Sequence, residues 1–265
     1  MEFHAFNLHP HIDAGVKALG FLTPTPIQRR AIPPVLQGQD VMGLAQTGTG
    51  KTAAFVLPIL ERLMKGPRRR VRSLIIAPTR ELAEQIHTAI GDLGRRTGLR
   101  SVTIYGGVAM NPQIQKLRSG VEIVVACPGR LLDHINRGTI SLSNVEVLVL
   151  DEADRMFDMG FLPDIRKIVR HVPARRQTLM FSATMPDDIR LLAHDILHAP
   201  VTVQVDLSAP ASTVSHAIYP VDQHLKTALL LELLRHTDTE SVLVFTRTKH
   251  RAKAVGGKLE QAGYK

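Results

Sequence analysis

Seven short aliphatic runs recur along the chain. They are DVMGLA (40–45), SLIIA (73–77), SVTIY (101–105), VEIVVA (121–126), VEVLVL (145–150), QTLMFS (177–182) and VTVQV (201–205). Most are apolar at nearly every position rather than alternating, as strands buried on both faces are. The stretches between them are mostly long enough to hold a crossover helix. Strands alternating with helical segments predict an α/β domain with a mostly parallel sheet, helices on both faces and ligands at the carboxyl ends of the strands.

The pattern lapses at LSAPAST (207–213), which is small, polar and proline-containing and reads as a linker. Beyond it come VSHAIYPV, a helix from about Gln223 to Arg235, a strand SVLVF (241–245) and a further helix. This βαβα unit of roughly 50 residues is too small to bury both faces of a parallel sheet alone. Residues 31–206 are therefore expected to form the first domain, preceded by a segment 1–30, and residues 214–265 the N-terminal part of a second α/β domain.

Composition narrows the classes. Of 265 residues, 44% are hydrophobic and only 4% aromatic, so a real core is expected and it must be mainly aliphatic. No apolar run approaches the roughly 20 residues that span a bilayer, and MEFHAFNLHP lacks the basic-then-apolar order of a signal peptide. The single Cys127 excludes an intrachain disulfide framework and a cysteine-built zinc site, and suits a reducing, cytoplasmic compartment. A net charge of +9 favours a polyanionic partner, nucleic acid ahead of a membrane surface, against the plain alternative of solubility. The densest basic run, KGPRRRVR (Lys65–Arg72), falls between a helical segment and a strand and reads as a solvated loop.

AQTGTGKT, Ala45–Thr52, follows the first strand and precedes a helical pattern. It fits the phosphate-loop pattern except that Ala45 stands at the first glycine. Gln46, Thr47, Gly48, Thr49 and Gly50 form the loop, and Gly48 and Gly50 allow backbone N–H groups to turn towards an anion at a helix N-terminus. Lys51 can then reach phosphates and the Thr52 hydroxyl can reach Mg²⁺. The competing reading, a glycine turn with a lysine in the first helical turn, is electrostatically poor, because a cation there is unfavourable without an anion.

In VLVLDEADRMF (147–157) an apolar run ends in three carboxylates within four positions. Alone this could be a solvated acidic helix start. Beside a phosphate loop, Asp151 is placed to hold Mg²⁺, through water, and Glu152 to orient or deprotonate an attacking water.

Together these stretches resemble the DEAD-box ATP-dependent RNA helicases of the bacterial RhlE-like kind. Asp151-Glu152-Ala153-Asp154 spells the signature. In family order the chain also has GFLTPTPIQ (20–28), AQTGTGKT, PTREL (78–82), Gly106-Gly107, CPGR (127–130), SAT (182–184) and VLVFTRTK (242–249). The resemblance implies RecA-like domains: a first, complete one that binds ATP with Mg²⁺ and part of a second. It implies that Gln28 reads adenine and that Phe3, or less well Phe6, packs on it. Thr25-Pro26-Ile27-Gln28 also reads as a capping box, and the phenylalanines also as core. It assigns Pro78, Thr79, Arg80, Gly106, Gly107, Gly129 and Arg130 to an RNA sugar–phosphate backbone, a sequence-independent grip. It assigns the hydroxyls of Ser182 and Thr184 to Asp154, coupling nucleotide to RNA. Cys127 departs from the family's threonine, which puts any contact there in doubt.

The implied activity is RNA-stimulated ATP hydrolysis with local duplex unwinding. The family's arginine fingers, in an HRxGRxxR stretch of the second domain, have no counterpart in these residues. Such fingers are worth about 10³–10⁵ in rate, so this chain is expected to bind ATP and ADP but to turn over weakly or not at all. The alternative is a non-catalytic, nucleotide-dependent RNA clamp.

Overall fold

All seven aliphatic runs up to Val205 become strands in the computed structural model, which describes residues 2–205, 215, 217–237 and 241–264. They are β1 (Val41–Leu44), β2 (Ser73–Ile76), β3 (Ser101–Ile104), β4 (Ile123–Ala126), β5 (Val147–Leu150), β6 (Gln177–Ser182) and β7 (Val201–Gln204). A 3₁₀ turn, Phe3–Phe6, opens the described chain. It leads to α1 (Pro10–Ala18) and α2 (Pro26–Leu36), then α3 (Lys51–Leu63), α4 (Arg80–Leu93), α5 (Met110–Arg118) and α6 (Pro128–Asn136). The series continues with α7 (Ala153–Asp158), α8 (Leu162–Val169), α9 (Asp187–Ile196), α10 (Lys226–Arg235) and α11 (Lys249–Gln261).

The strands form one sheet in the order β3-β4-β2-β5-β6-β1-β7, with every pairing parallel. Four of the five inner strands, β2, β4, β5 and β6, are buried at every position, whereas inner β1 and the edge strands β3 and β7 are buried only in part. One face of the sheet carries a core built with α1 to α4, in which Phe55 and Phe181 meet at 5.4 Å between ring centroids. The other face packs Leu148 and Met180 with Ile165 and Ile168 of α8 and Ile189 and Leu192 of α9.

Polar groups fix the amino end of the sheet. Asp40 accepts hydrogen bonds from the backbone N–H groups of Thr178 and His198, both at 2.7 Å. Arg72, only 3% exposed, donates to both carboxylate oxygens of Glu146 at 2.6 and 3.2 Å, and to the carbonyl of Leu63 at 3.1 Å. Burial raises the Glu146 pKa, but Arg72 and then Arg62 outweigh it and hold it below the usual carboxylate range. The basic run is thus corrected at one position: Arg72 is a buried structural cation, while Lys65 and Arg68 to Arg70 remain exposed.

The chain divides into two compact units, Met1–Leu207 and Ser208–Lys265. The expected linker, 207–213, lies outside the described residues. In the second unit α10 and α11 form, but SVLVF (241–245) is not a strand. A strand's backbone groups need a hydrogen-bonded neighbour, and none pairs with it among the described residues of that unit. Leu243 and Phe245 accordingly stand 79% and 87% exposed.

Gly15 on α1 lies against the backbone of Leu93 at the end of α4, where an added Cβ would collide with the Leu93 carbonyl. Helix propensity alone favours alanine by about 1 kcal/mol. Overpacking against backbone costs about 1–3 kcal/mol. Gly15→Ala is therefore expected to lower stability in urea unfolding, and a rise would contradict the close α1–α4 contact.

Candidate functional site

The loop after β1 begins inside the sheet. The Ala45 N–H donates to the Ser182 carbonyl at 3.0 Å and its side chain is fully buried. That explains how alanine stands at the pattern's first glycine: the tight turning occurs later, at Gly48 (φ +84°) and Gly50 (φ +93°). The Thr49 hydroxyl donates to the Gln46 carbonyl at 2.7 Å and closes the turn. Lys51 opens α3, is 5% exposed, and donates from Nζ to the Ala45 carbonyl at 3.0 Å. Thr52 follows it in the first helical turn, partly buried. This ammonium hydrogen-bonds a neutral carbonyl at the positive end of a helix, and the opposite charge that acts on it is the nearby Asp151 carboxylate.

Asp151 ends β5, two strands from β1 in the sheet order. It is 2% exposed, and one carboxylate oxygen accepts from the Glu152 N–H at 3.0 Å. Burial first, with the Glu152 charge added, pushes its pKa up to about 6 against the pull of Lys51. Glu152 adopts a left-handed backbone (φ +52°), a conformation costing about 1–3 kcal/mol for a non-glycine residue. One Glu152 oxygen accepts from the Thr47 hydroxyl at 3.1 Å and the other from Arg155 at 3.3 Å. The Thr47–Glu152 bond ties the glycine loop to the acidic strand end. Sequence spacing gave no sign of it, since the two residues are far apart in the chain.

Asp154 accepts from both the backbone N–H and the hydroxyl of Thr184, at 2.8 and 2.9 Å. The Ser182 hydroxyl accepts from the Asp154 N–H at 3.1 Å. Burial raises the Asp154 pKa, but the Thr184 bonds, and after them the Ser182 hydroxyl, outweigh it and the net shift is downward.

Gln28 bridges two elements. Its Oε1 accepts from the Thr25 N–H at 2.9 Å and its Nε2 donates to the Gly50 carbonyl at 3.1 Å. Thr25 and Gln28 form the expected capping box at the start of α2, the Thr25 side chain facing the Gln28 N–H and the Gln28 side chain facing the Thr25 N–H. Phe3 is 5% exposed and packs on Phe6 and Phe21, with ring centroids at 5.8 and 5.9 Å.

The remaining singled-out residues follow β2, β3 and β4, the other half of the sheet. Pro78 is buried, and Thr79 caps α4 by accepting from the Leu82 N–H at 3.3 Å. The exposed Arg80 lies over the Tyr105 ring, 5.0 Å from its centroid. Gly106 and Gly107 are exposed, and Gly129 is exposed at the start of α6. Arg130 donates to the Val108 carbonyl at 2.9 Å, which brings the CPGR and glycine-pair segments together. Tyr105 and Gln113 are additions that motif reading missed. Gln113 donates to the Tyr105 carbonyl at 3.1 Å and contacts His134, itself held by Thr139 at 2.8 Å, so a buried polar chain supports the glycine pair. Burial pushes the Cys127 thiol up to about 11, which keeps it unreactive.

A profile of the DEAD/DEAH box helicase family matches residues 25–192. The chain belongs to this family. It is similar to the ATP-dependent RNA helicase CshA of Listeria monocytogenes, at 43% identity over 99% of this chain and 51% of the relative. It is likewise similar to the ATP-dependent RNA helicase RhlB of Xanthomonas axonopodis, at 42% identity over 100% of this chain and 48% of the relative. The chain spans about half the length of the curated relatives it matches. A crystal structure of a DEAD box protein from Methanococcus jannaschii superposes with a TM-score of 0.74 at 36% identity, over 100% of this chain and 71% of that one. The wholly parallel, helix-flanked sheet is therefore the α/β RecA-like fold of a DEAD/DEAH box helicase. No helix among the described residues is long and apolar enough to cross a membrane.

In this DEAD/DEAH box domain Asp151 has a folded-state pKa above its unfolded value. Its charge thus costs stability as pH rises from about 4 through about 6, and the cost is full above that range. Asp151→Asn is expected to raise the stability of the nucleotide-free chain by about 1–3 kcal/mol at pH 7 and to leave it nearly unchanged at pH 4. Urea unfolding at the two pH values checks this, and equal effects at both would contradict the buried charge.

Proposed function

We propose that this chain is the ATP-binding part of an ATP-dependent RNA helicase that works in the cytoplasm. Residues 31–206 are the ATP-binding domain, residues 1–30 its Q-motif region, 207–213 a linker, and 214–265 the start of the second RecA-like domain. The observation that supports this most is the Thr47–Glu152 bond, which places the glycine loop and the DEAD carboxylates in one site.

In that site the loop from Ala45 to Thr52 cradles the phosphates, with the Lys51 ammonium as counter-charge. Gln28 reads the adenine edge and Phe3 supports it from the packed aromatic group. Mg²⁺ fits the residues present. Asp151 is a carboxylate raised in pKa by burial even against the pull of Lys51, and among the described residues no cluster of three metal-ligating side chains forms a protein-only cage. Such a site suits an ion held by one carboxylate, a hydroxyl and substrate phosphates. Asp151, through water, and Thr52 would hold it, and bound there it would neutralise phosphate charge. Glu152 orients and deprotonates the attacking water. Pro78, Thr79, Arg80, Gly106, Gly107, Gly129 and Arg130 hold the RNA sugar–phosphate backbone without reading sequence. Asp154, with Ser182 and Thr184, couples the two halves.

Lys51→Ala removes a charge-assisted hydrogen bond and is expected to weaken Mg–ATP binding by about ten- to hundredfold, as read by calorimetry. Glu152→Gln is expected to keep binding and lower single-turnover hydrolysis in the presence of single-stranded RNA by about 10²–10⁴. Tight ATP binding with no hydrolysis in the parent chain would favour a nucleotide-dependent RNA clamp. Hydrolysis indifferent to RNA, or a preference for single-stranded DNA in competition, would overturn the helicase assignment.

A further inference from the structure

The basic run singled out in the sequence has no part in the site described above. Arg68, Arg69 and Arg70 lead into β2, Arg100 into β3, Arg118 and the turn after it into β4, and Arg175 into β6. In a parallel sheet these entry points share one end, opposite the carboxyl ends that carry the motifs. All six arginines are exposed, and none forms an ion pair among the described residues. Backbone contacts draw the segments together. Arg68 donates to the Thr97 carbonyl at 3.3 Å, and the N–H groups of Arg69 and Arg100 both donate to the Glu122 carboxylate, at 2.6 and 2.8 Å. Glu122 is 2% exposed, and Glu146 is held by Arg72, so two carboxylates at this rim are already engaged. A cleft of about 290 Å³ opens between Arg70 and Arg175, with Ser143 and Asn144 in its wall.

We propose that this amino-end rim is a second polyanion site, which grips the phosphates of double-stranded RNA. Unpaired guanidinium groups beside neutral hydrogen-bonding side chains are suited to phosphate oxygens. The two clefts that flank Arg70 contain no aromatic side chain, so they offer no stacking platform of the kind that holds single strands. Duplex RNA presents phosphates and 2′-hydroxyl groups instead. A membrane surface fits poorly, because none of the exposed large apolar side chains belongs to these segments. The inference stands apart from the proposed RNA contacts at the carboxyl ends, which lie on the order of 15 Å away by strand length.

The test is fluorescence anisotropy of the full chain with a labelled blunt RNA duplex of about 16 base pairs, the length a duplex-binding module spans, over a range of salt. R68Q/R70Q/R175Q is expected to bind about tenfold or more weakly and to lower the slope of log K against log salt by roughly three, about one for each phosphate no longer neutralised. Its binding of single-stranded RNA with ATP should stay within about twofold of the parent. Arg190→Gln, at an exposed arginine of α9 outside both sites, should leave duplex binding unchanged, which separates this rim from a general effect of lowered charge. Should the triple variant fail to fold, R100Q/R118Q carries the test, with an expected slope change of roughly two. Unchanged duplex affinity and slope, an equal loss of single-strand binding, an equal loss of duplex binding in R190Q, or displacement of the duplex by phosphatidylserine vesicles as readily as by unlabelled duplex would each overturn the proposal.

Discussion

Two opposite charges are buried at the carboxyl end of the sheet without pairing to each other. Lys51 donates to a carbonyl and Asp151 accepts from a backbone N–H. Each would be better solvated in water, and their mutual attraction offsets only part of the cost of burying Asp151. The rest of the architecture keeps them in place. Inner strands buried at every position fix where β1 and β5 end. The loop before α3 turns the lysine inward, and the left-handed Glu152 lets α7 start immediately after the buried carboxylate.

The order β3-β4-β2-β5-β6-β1-β7 separates two kinds of chemistry. The segments with buried charge follow β1 and β5, and the segment after β6 bonds to Asp154 through Thr184. The segments with exposed glycines and arginines follow β2, β3 and β4. The border between them is the β2–β5 pairing, and Asp151 N–H donates to the Ile76 carbonyl across it at 3.0 Å. One backbone bond therefore joins the strand end that carries DEAD to the strand end that carries PTREL.

Much of this was legible in the sequence because its signals are local. All seven aliphatic runs of the first unit form strands, and four of them, β2, β4, β5 and β6, are buried at every position. The P-loop glycines stand where positive φ angles occur. Other features depend on partners remote in the chain. Arg72 reads as part of a solvated basic run until Glu146 arrives beside it. SVLVF has the composition of a strand, but pairing rather than composition makes one. The Ser182 contact with the Asp154 N–H, and the Gln113–His134 support under the glycine pair, follow from side-chain orientation, which residue spacing does not encode.

Gln28 carries one more consequence. Its amide nitrogen holds the Gly50 carbonyl while its amide oxygen holds the start of α2. A base that captured this amide would do so in competition with the very loop proposed to cradle phosphates. Recognition of the base and the conformation of the loop are then a single linked equilibrium. By reciprocity, whatever rearranges the loop around phosphates also changes the affinity of the amide for the base. Selectivity for one nucleobase and response to the number of phosphates would arise in this domain from the same side chain.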